Sequence, residues 1–152
     1  MNIFSFFRQL FVKLGLATPL TFDQQVWGAK SVIDLVQYGS QFLIAQGTAG
    51  QSCYTCWLGS RDHIPTAIVV ENNGRANSPF PDDSHVKGCE PWTYPPKFTC
   101  SQAVTVMVKA GIVEPWVTCT LKKLTDQTNP NYTFTFVTHA PVTVDAVTGN
   151  II

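Results

Sequence analysis

The sequence predicts an α+β domain in which two N-terminal helices precede an antiparallel β-sheet or sandwich, with a long proline-rich loop. Three observations lead to this prediction. Apolar residues recur at helical spacing over about 3–16 and 22–46, and they alternate with polar residues in short segments after residue 64. Five prolines fall between positions 76 and 97. Helices followed by a run of strands are typical of α+β folds. The length of 152 residues corresponds to one α+β domain over 19–152, preceded by a docking helix over 1–18.

The first predicted helix has an aromatic stripe. Its apolar residues fall in one narrow arc and are Ile3, Phe4, Phe7, Leu10, Phe11 and Leu14. Arg8 and Lys13 interrupt the apolar run, which predicts neither a cleavable signal peptide nor a transmembrane helix. We expect the stripe to dock on protein. Contact with a membrane surface is less favoured, because two cations are few for that role.

The second predicted helix has clear start and stop signals. Thr21 and Gln24 have the spacing of a capping box, and Gly47 is typical of a helix C-terminus. Two arcs of this helix are apolar, one of them including Trp27 and Phe42. Two apolar arcs predict contact on two sides, either with a partner or within its own domain.

The second half of the chain has β-type patterns. The predicted strands are Thr66–Glu71, Thr99–Lys109, Ile112–Leu124, Tyr132–Thr138 and Val142–Val147. The proline-rich loop between them contains Trp92 and Tyr94. Loops this long are usually functional or disordered, and these aromatic residues indicate that the loop packs on something.

The five cysteines leave several interpretations open. The residues Cys53, Cys56, His85 and Cys89 could together bind zinc, although the gap between the two pairs is long for a compact site. As a disulfide framework, Cys89 could pair with Cys100, and Cys53 or Cys56 with Cys119. An odd count leaves one thiol free or bonded to another chain. A Cys-x-x-Cys redox pair is least favoured, because the pair follows a predicted helix and a turn.

The composition argues against several functions. Charged residues make up 13% of the chain, about half the usual share of roughly 25%. The formal net charge is zero and no basic stripe is present, so nucleic-acid binding is not expected. Near-zero net charge promotes association. Either part of the surface is covered by partners, or threonine, serine and amide side chains form a neutral surface.

No common catalytic motif is present, and we expect no enzyme activity and no cofactor. The sequence predicts a structural or interaction subunit of a larger assembly, a homo-oligomer or a multi-protein complex. A virion shell, decoration or tail protein is the first choice, and a surface filament subunit is the second, which places the chain in a virion or outside the cell. The predicted partner contacts are Phe4, Phe7, Phe11, Trp27, Phe42, Trp92 and Tyr94. One alternative is a disulfide- or zinc-stabilised module that binds a small ligand or glycan. A second alternative is a small thiol-dependent enzyme that uses Cys53 and Cys56.

Overall fold

The computed structural model describes residues 21–24, 26, 42–49, 53–58, 65–71, 80–82, 84, 86–92 and 95–152. These residues form mainly antiparallel β-sheet. The strands are β1 (Phe42–Thr48), β2 (Cys53–Leu58), β3 (Thr66–Glu71), β4 (Phe80–Pro81), β5 (Cys89–Glu90), β6 (Thr118–Leu124), β7 (Asn131–Thr135) and β8 (Val142–Asp145). One helix, α1 (Cys100–Lys109), precedes β6, and Phe22, Asp23, Gln24 and Val26 are also helical.

The sheet joins two meanders side by side. Its strand order is β4-β3-β2-β1-β6-β7-β8, and β5 pairs separately with β6. The first and second meanders meet where β1 pairs antiparallel with β6. The segment that contains β5 and α1 connects the two meanders, so these elements are free to cover the faces of the sheet.

One face of the sheet forms the main core. A row of residues in register across the strands is at most 1% exposed, and its members are Ile68, Ala45, Leu121, Tyr132 and Val144. The helix α1 contributes Cys100, Ala103 and Met107 to the same core. Their spacing of three and then four residues puts them on one side of a helix. Burying a large apolar side chain contributes about 1.5–3 kcal/mol, so this layer is the main source of stability.

Two side chains cap the N-terminus of α1. Thr99 accepts the backbone N–H of Gln102, whose side chain accepts the backbone N–H of Thr99. The Asp23 carboxylate accepts the N–H groups of Cys100 at 2.7 Å and Ser101 at 3.0 Å. These contacts satisfy helix N–H groups that have no partner within the helix, and a negative charge at this end is favourable. They also tie the helical residues near Phe22 to α1.

The prediction of two long helices before the sheet is wrong. Residues 42–46, assigned to the end of the second helix, belong to β1, and Gly47 lies inside that strand. Phe42, Leu43, Ile44 and Ala45 are all buried, because β1 is central and a register shift occurs between Phe42 and Ile44. A strand buried on both faces is continuously apolar, and a short apolar run does not distinguish helix from strand. The capping box at Thr21 and Gln24 is confirmed. The predicted helix 3–16 and residues 27–41 lie outside the described residues.

The other predicted elements also need correction. Thr99–Lys109, predicted as a strand, is the cap and body of α1. Strand β6 begins only at Thr118, later than the predicted start at Ile112, while β7 and β8 end earlier than predicted. Strand β3 matches its prediction. Part of the proline-rich stretch is ordered as β4 and β5.

Candidate interaction site

Two of the predicted contact residues lie in the core. The rings of Phe42 and Trp92 are stacked with centroids 5.1 Å apart, and they are 3% and 4% exposed. The indole N–H of Trp92 donates to the Leu43 carbonyl at 3.1 Å, and its backbone N–H donates to the Phe42 carbonyl at 2.9 Å. In this conformation both rings pack inside the chain and offer no surface to a partner. The predicted contacts Phe4, Phe7, Phe11, Trp27 and Tyr94 lie outside the described residues.

The candidate zinc residues are only partly described. Cys53 and Cys56 lie in β2, which pairs with β3 without a register break. Cys89 is half-buried in β5, and burial raises the pKa of its thiol although Lys122 opposes the shift. His85 lies outside the described residues, and the described part of the chain has no cluster of three or more metal-binding side chains.

The structure brings Cys100 close to Cys119 and not to Cys89, its predicted disulfide partner. Cys100 lies beside Cys119, with the two Sγ atoms 3.8 Å apart, and both thiols are buried. Cys89 packs against a second apolar cluster, whereas Cys100 and Cys119 belong to the main core. All three are free thiols in the structure. Burial, followed by the contact with Cys100, raises the pKa of Cys119 well above its usual range.

The only histidine among the described residues is His139. Its ring contacts the Phe136 ring edge-on, with centroids 5.4 Å apart, and its Nδ1 lies 2.6 Å from the Ala140 carbonyl oxygen. These two contacts hold the ring in place.

The two loops at the end of the sheet beyond α1 are joined by one carboxylate. Glu114 lies between α1 and β6, and Thr138 and His139 lie between β7 and β8. The Glu114 carboxylate accepts the Thr138 hydroxyl, the Thr138 N–H at 3.0 Å and the His139 N–H at 3.2 Å. The hydroxyl of Thr138 and then its backbone N–H hold the pKa of the Glu114 carboxyl below its usual range. Hydrogen bonds to the charged form have this effect.

Each of the two loops that Glu114 joins carries an exposed valine. Val113 precedes Glu114 and is 73% exposed, while Val137 precedes Thr138 and is 83% exposed. We call these residues the loop tip: Val113, Glu114, Val137, Thr138 and His139. Single exposed apolar residues are common, but here the hydrogen bonds of Glu114 order two loops so that both valines are presented from one end of the molecule.

The sheet face opposite α1 is polar over its second half. Cross-strand pairing aligns its side chains in two rows, which consist of Gln46, Thr120, Thr133 and Thr143, and of Thr48, Thr118 and Thr135. The hydroxyls of Thr118 and Thr135 are hydrogen-bonded, and those of Thr133 and Thr143 lie 3.4 Å apart. Such cross-strand pairs stabilise a sheet by about 0.2–1 kcal/mol each. We call these seven residues the threonine face.

The described residues form an antiparallel sheet with a short helix on one face and threonine rows over half of the other face. This fold is similar to the fold of a candidate lipoprotein from Clostridium difficile 630, with a TM-score of 0.66. The match covers 88% of this chain and 93% of that chain at 15% sequence identity. At this identity the likeness concerns the fold alone. The chain matches no known protein family and no curated protein. None of the helices built from described residues has the length and apolar character that crossing a bilayer requires.

Sequence reasoning missed the loop tip. Val113 and Glu114 fell in a predicted strand, as did Val137 and Thr138, and neither segment contains a local motif. Only the fold brings Glu114 within reach of residues 24 and 25 positions away. The sequence signal for this site would have been the two loops, one before β6 and one after β7. The predicted strands ran into both loops, so the loops were not recognised.

Proposed function

We propose that this chain is a non-catalytic interaction subunit that works at the cell surface and associates with copies of itself through the loop tip. The observation that carries the proposal is the pair of exposed valines on two loops that Glu114 fastens together. An ordered apolar surface loses little conformational entropy on binding, so more of the contact energy appears as affinity. The low charge content and zero net charge support association, since copies repel each other little.

The structural likeness supports the cell surface over the virion as the location. The sequence favoured a virion component first and a surface filament subunit second. A candidate lipoprotein shares the fold, and lipoproteins are held at membranes by a lipid anchor. The proposal is therefore a subunit of a surface assembly. The burial of Trp92 removes one of the aromatic residues on which the glycan-binding alternative depended.

The proposal is tested by native mass. Light scattering on a sizing column should give a mass well above the 16.8 kDa of one chain. The double variant Val113→Ser/Val137→Ser should elute as a monomer. Each substitution should weaken association by about tenfold or more, because burying a valine contributes roughly 1.5–3 kcal/mol and 1.4 kcal/mol corresponds to tenfold in affinity.

Ile152→Ser is the matched control. Ile152 is 71% exposed, similar to Val113, but it lies beside the β8 edge strand, outside the two loops. This variant should keep the mass of the original protein. A monomeric original protein over the whole concentration range, or an oligomeric double variant, would contradict the proposal.

A further inference from the structure

The two buried thiols in the main core link different parts of the fold. Cys100 is the first residue of α1, and Cys119 is in β6, one of the two strands at the centre of the sheet. Their exposed fractions are 3% and 0%, and their Sγ atoms are 3.8 Å apart. We propose that Cys100 and Cys119 form a structural disulfide that ties the N-terminus of α1 to β6 when the chain folds in an oxidising compartment.

The geometry suits this bond. A disulfide needs the two sulfur atoms at about 2.05 Å, so the two Sγ atoms, now 3.8 Å apart, would have to approach each other by about 1.75 Å. The cross-strand neighbour of Cys119 in β1 is Gly47, which has no side chain to obstruct the movement. The backbone around Cys100 is already held by Asp23 and the Thr99 cap, so the helix end stays in place as the bond forms.

The structure separates Cys89 from this pair of thiols. Cys89 packs with Leu43, Ile44, Ala67 and Val86 in the second cluster. The main core that contains Cys100 and Cys119 is a separate cluster. Cys89 would have to move out of β5, which pairs with β6, to reach either thiol.

The chemistry is thiol–disulfide exchange with an external disulfide such as oxidised glutathione. One thiolate attacks the external disulfide and forms a mixed disulfide, releasing one thiol. The second thiolate displaces the other external sulfur, so two protein thiols become one bond and one oxidised glutathione becomes two reduced molecules. Both sulfurs are inaccessible in the folded chain, so the exchange takes place before α1 docks on the sheet. Once buried, the bond is shielded from reductants.

Peptide mapping tests the pairing directly, because trypsin separates these cysteines. Cleavage after Lys87, Lys97, Lys109 and Lys122 puts Cys89, Cys100 and Cys119 in three different peptides, 88–97, 98–109 and 110–122. The full chain is refolded with a mixture of oxidised and reduced glutathione, free thiols are alkylated, and the digest is analysed without reduction. Peptides 98–109 and 110–122 should be linked, with a mass about 2 Da below their sum.

Thermal unfolding supplies a second readout. The oxidised protein should melt on the order of 5–10 °C above the reduced protein, because the bond closes a loop of about 20 residues in the unfolded chain. Cys119→Ala should abolish this redox difference, and Cys89→Ala should keep it. Alkylated Cys100 and Cys119 in the refolded original protein, or either peptide linked to a different cysteine, would overturn the proposal even if Cys119→Ala failed to fold.

Discussion

The Glu114 carboxylate has three hydrogen-bond donors from a single loop. It accepts one hydroxyl and two backbone N–H groups from the loop that contains Thr138. Its function in the loop tip is positional, since it fixes the separation of two loops whose valines face solvent. The loop tip should therefore depend on the charge state of this one side chain.

The first prediction concerns acid titration of Glu114. Its pKa is lowered in the folded protein, below the usual value of about 4.3. The hydrogen bonds therefore contribute full stability above about pH 4.3, and this contribution is lost as the pH falls through the lower folded pKa. The NMR amide resonance of Thr138, followed from pH 5 downward, should shift with a midpoint below 4.3.

Two variants separate this effect from general acid unfolding. Glu114→Gln removes the titrating group, so the shift of the Thr138 amide should vanish. Asp126→Asn changes an exposed carboxylate in the turn after β6 and should leave the shift intact. A midpoint at or above the ordinary glutamate value would show that the carboxylate does not hold the loops.

At the scale of secondary-structure elements, α1 depends on its cap. The side chain of Thr99 accepts a backbone N–H that no carbonyl inside the helix can reach. Thr99→Ala should lower the free energy of unfolding by about 0.5–2 kcal/mol, measured by urea denaturation. Thr105→Ala, at an exposed position of the same helix, should be neutral or slightly stabilising because alanine is the better helix former. Equal losses for the two variants would contradict the capping role.

The errors in predicting elements have physical causes. The strand prediction for Thr99–Lys109 followed the alternating valines at 104, 106 and 108 and overlooked the capping-box spacing of Thr99 and Gln102. Val108 is 49% exposed, whereas Ala103 and Met107 are buried. The buried side of the helix is therefore not the side that the valines indicate. In β1 the bulge and the burial of both faces removed the alternation by which strands are recognised. The strands with one polar face, β7 and β8, were located because their alternation is intact, although both end earlier than predicted.

The threonine face explains part of the low content of charged residues in this chain. The threonine face gives the sheet a neutral polar surface, which was the alternative to a partner-covered surface in the sequence analysis.

The contacts of Cys100, Glu114 and the threonine rows could not be predicted from the sequence, because each residue meets its partner from a distant strand or loop. Because the threonine face is polar and the loop tip carries two exposed valines, we expect association through the loop tip and not through the threonine face.

This division predicts how self-association responds to conditions. Apolar contacts between loop tips are not screened by salt, whereas surface ion pairs weaken above about 0.1 M ionic strength. Raising sodium chloride from about 0.05 to 0.5 M should therefore leave the dissociation constant almost unchanged. Sulfate should tighten the association and cooling should weaken it, because both change the strength of the hydrophobic effect. Sedimentation velocity over a concentration series measures the constant in each condition. The Ile152→Ser control should respond as the original protein does. A steep loss of affinity with sodium chloride would assign the contact to the charged residues and remove the loop tip from the interface.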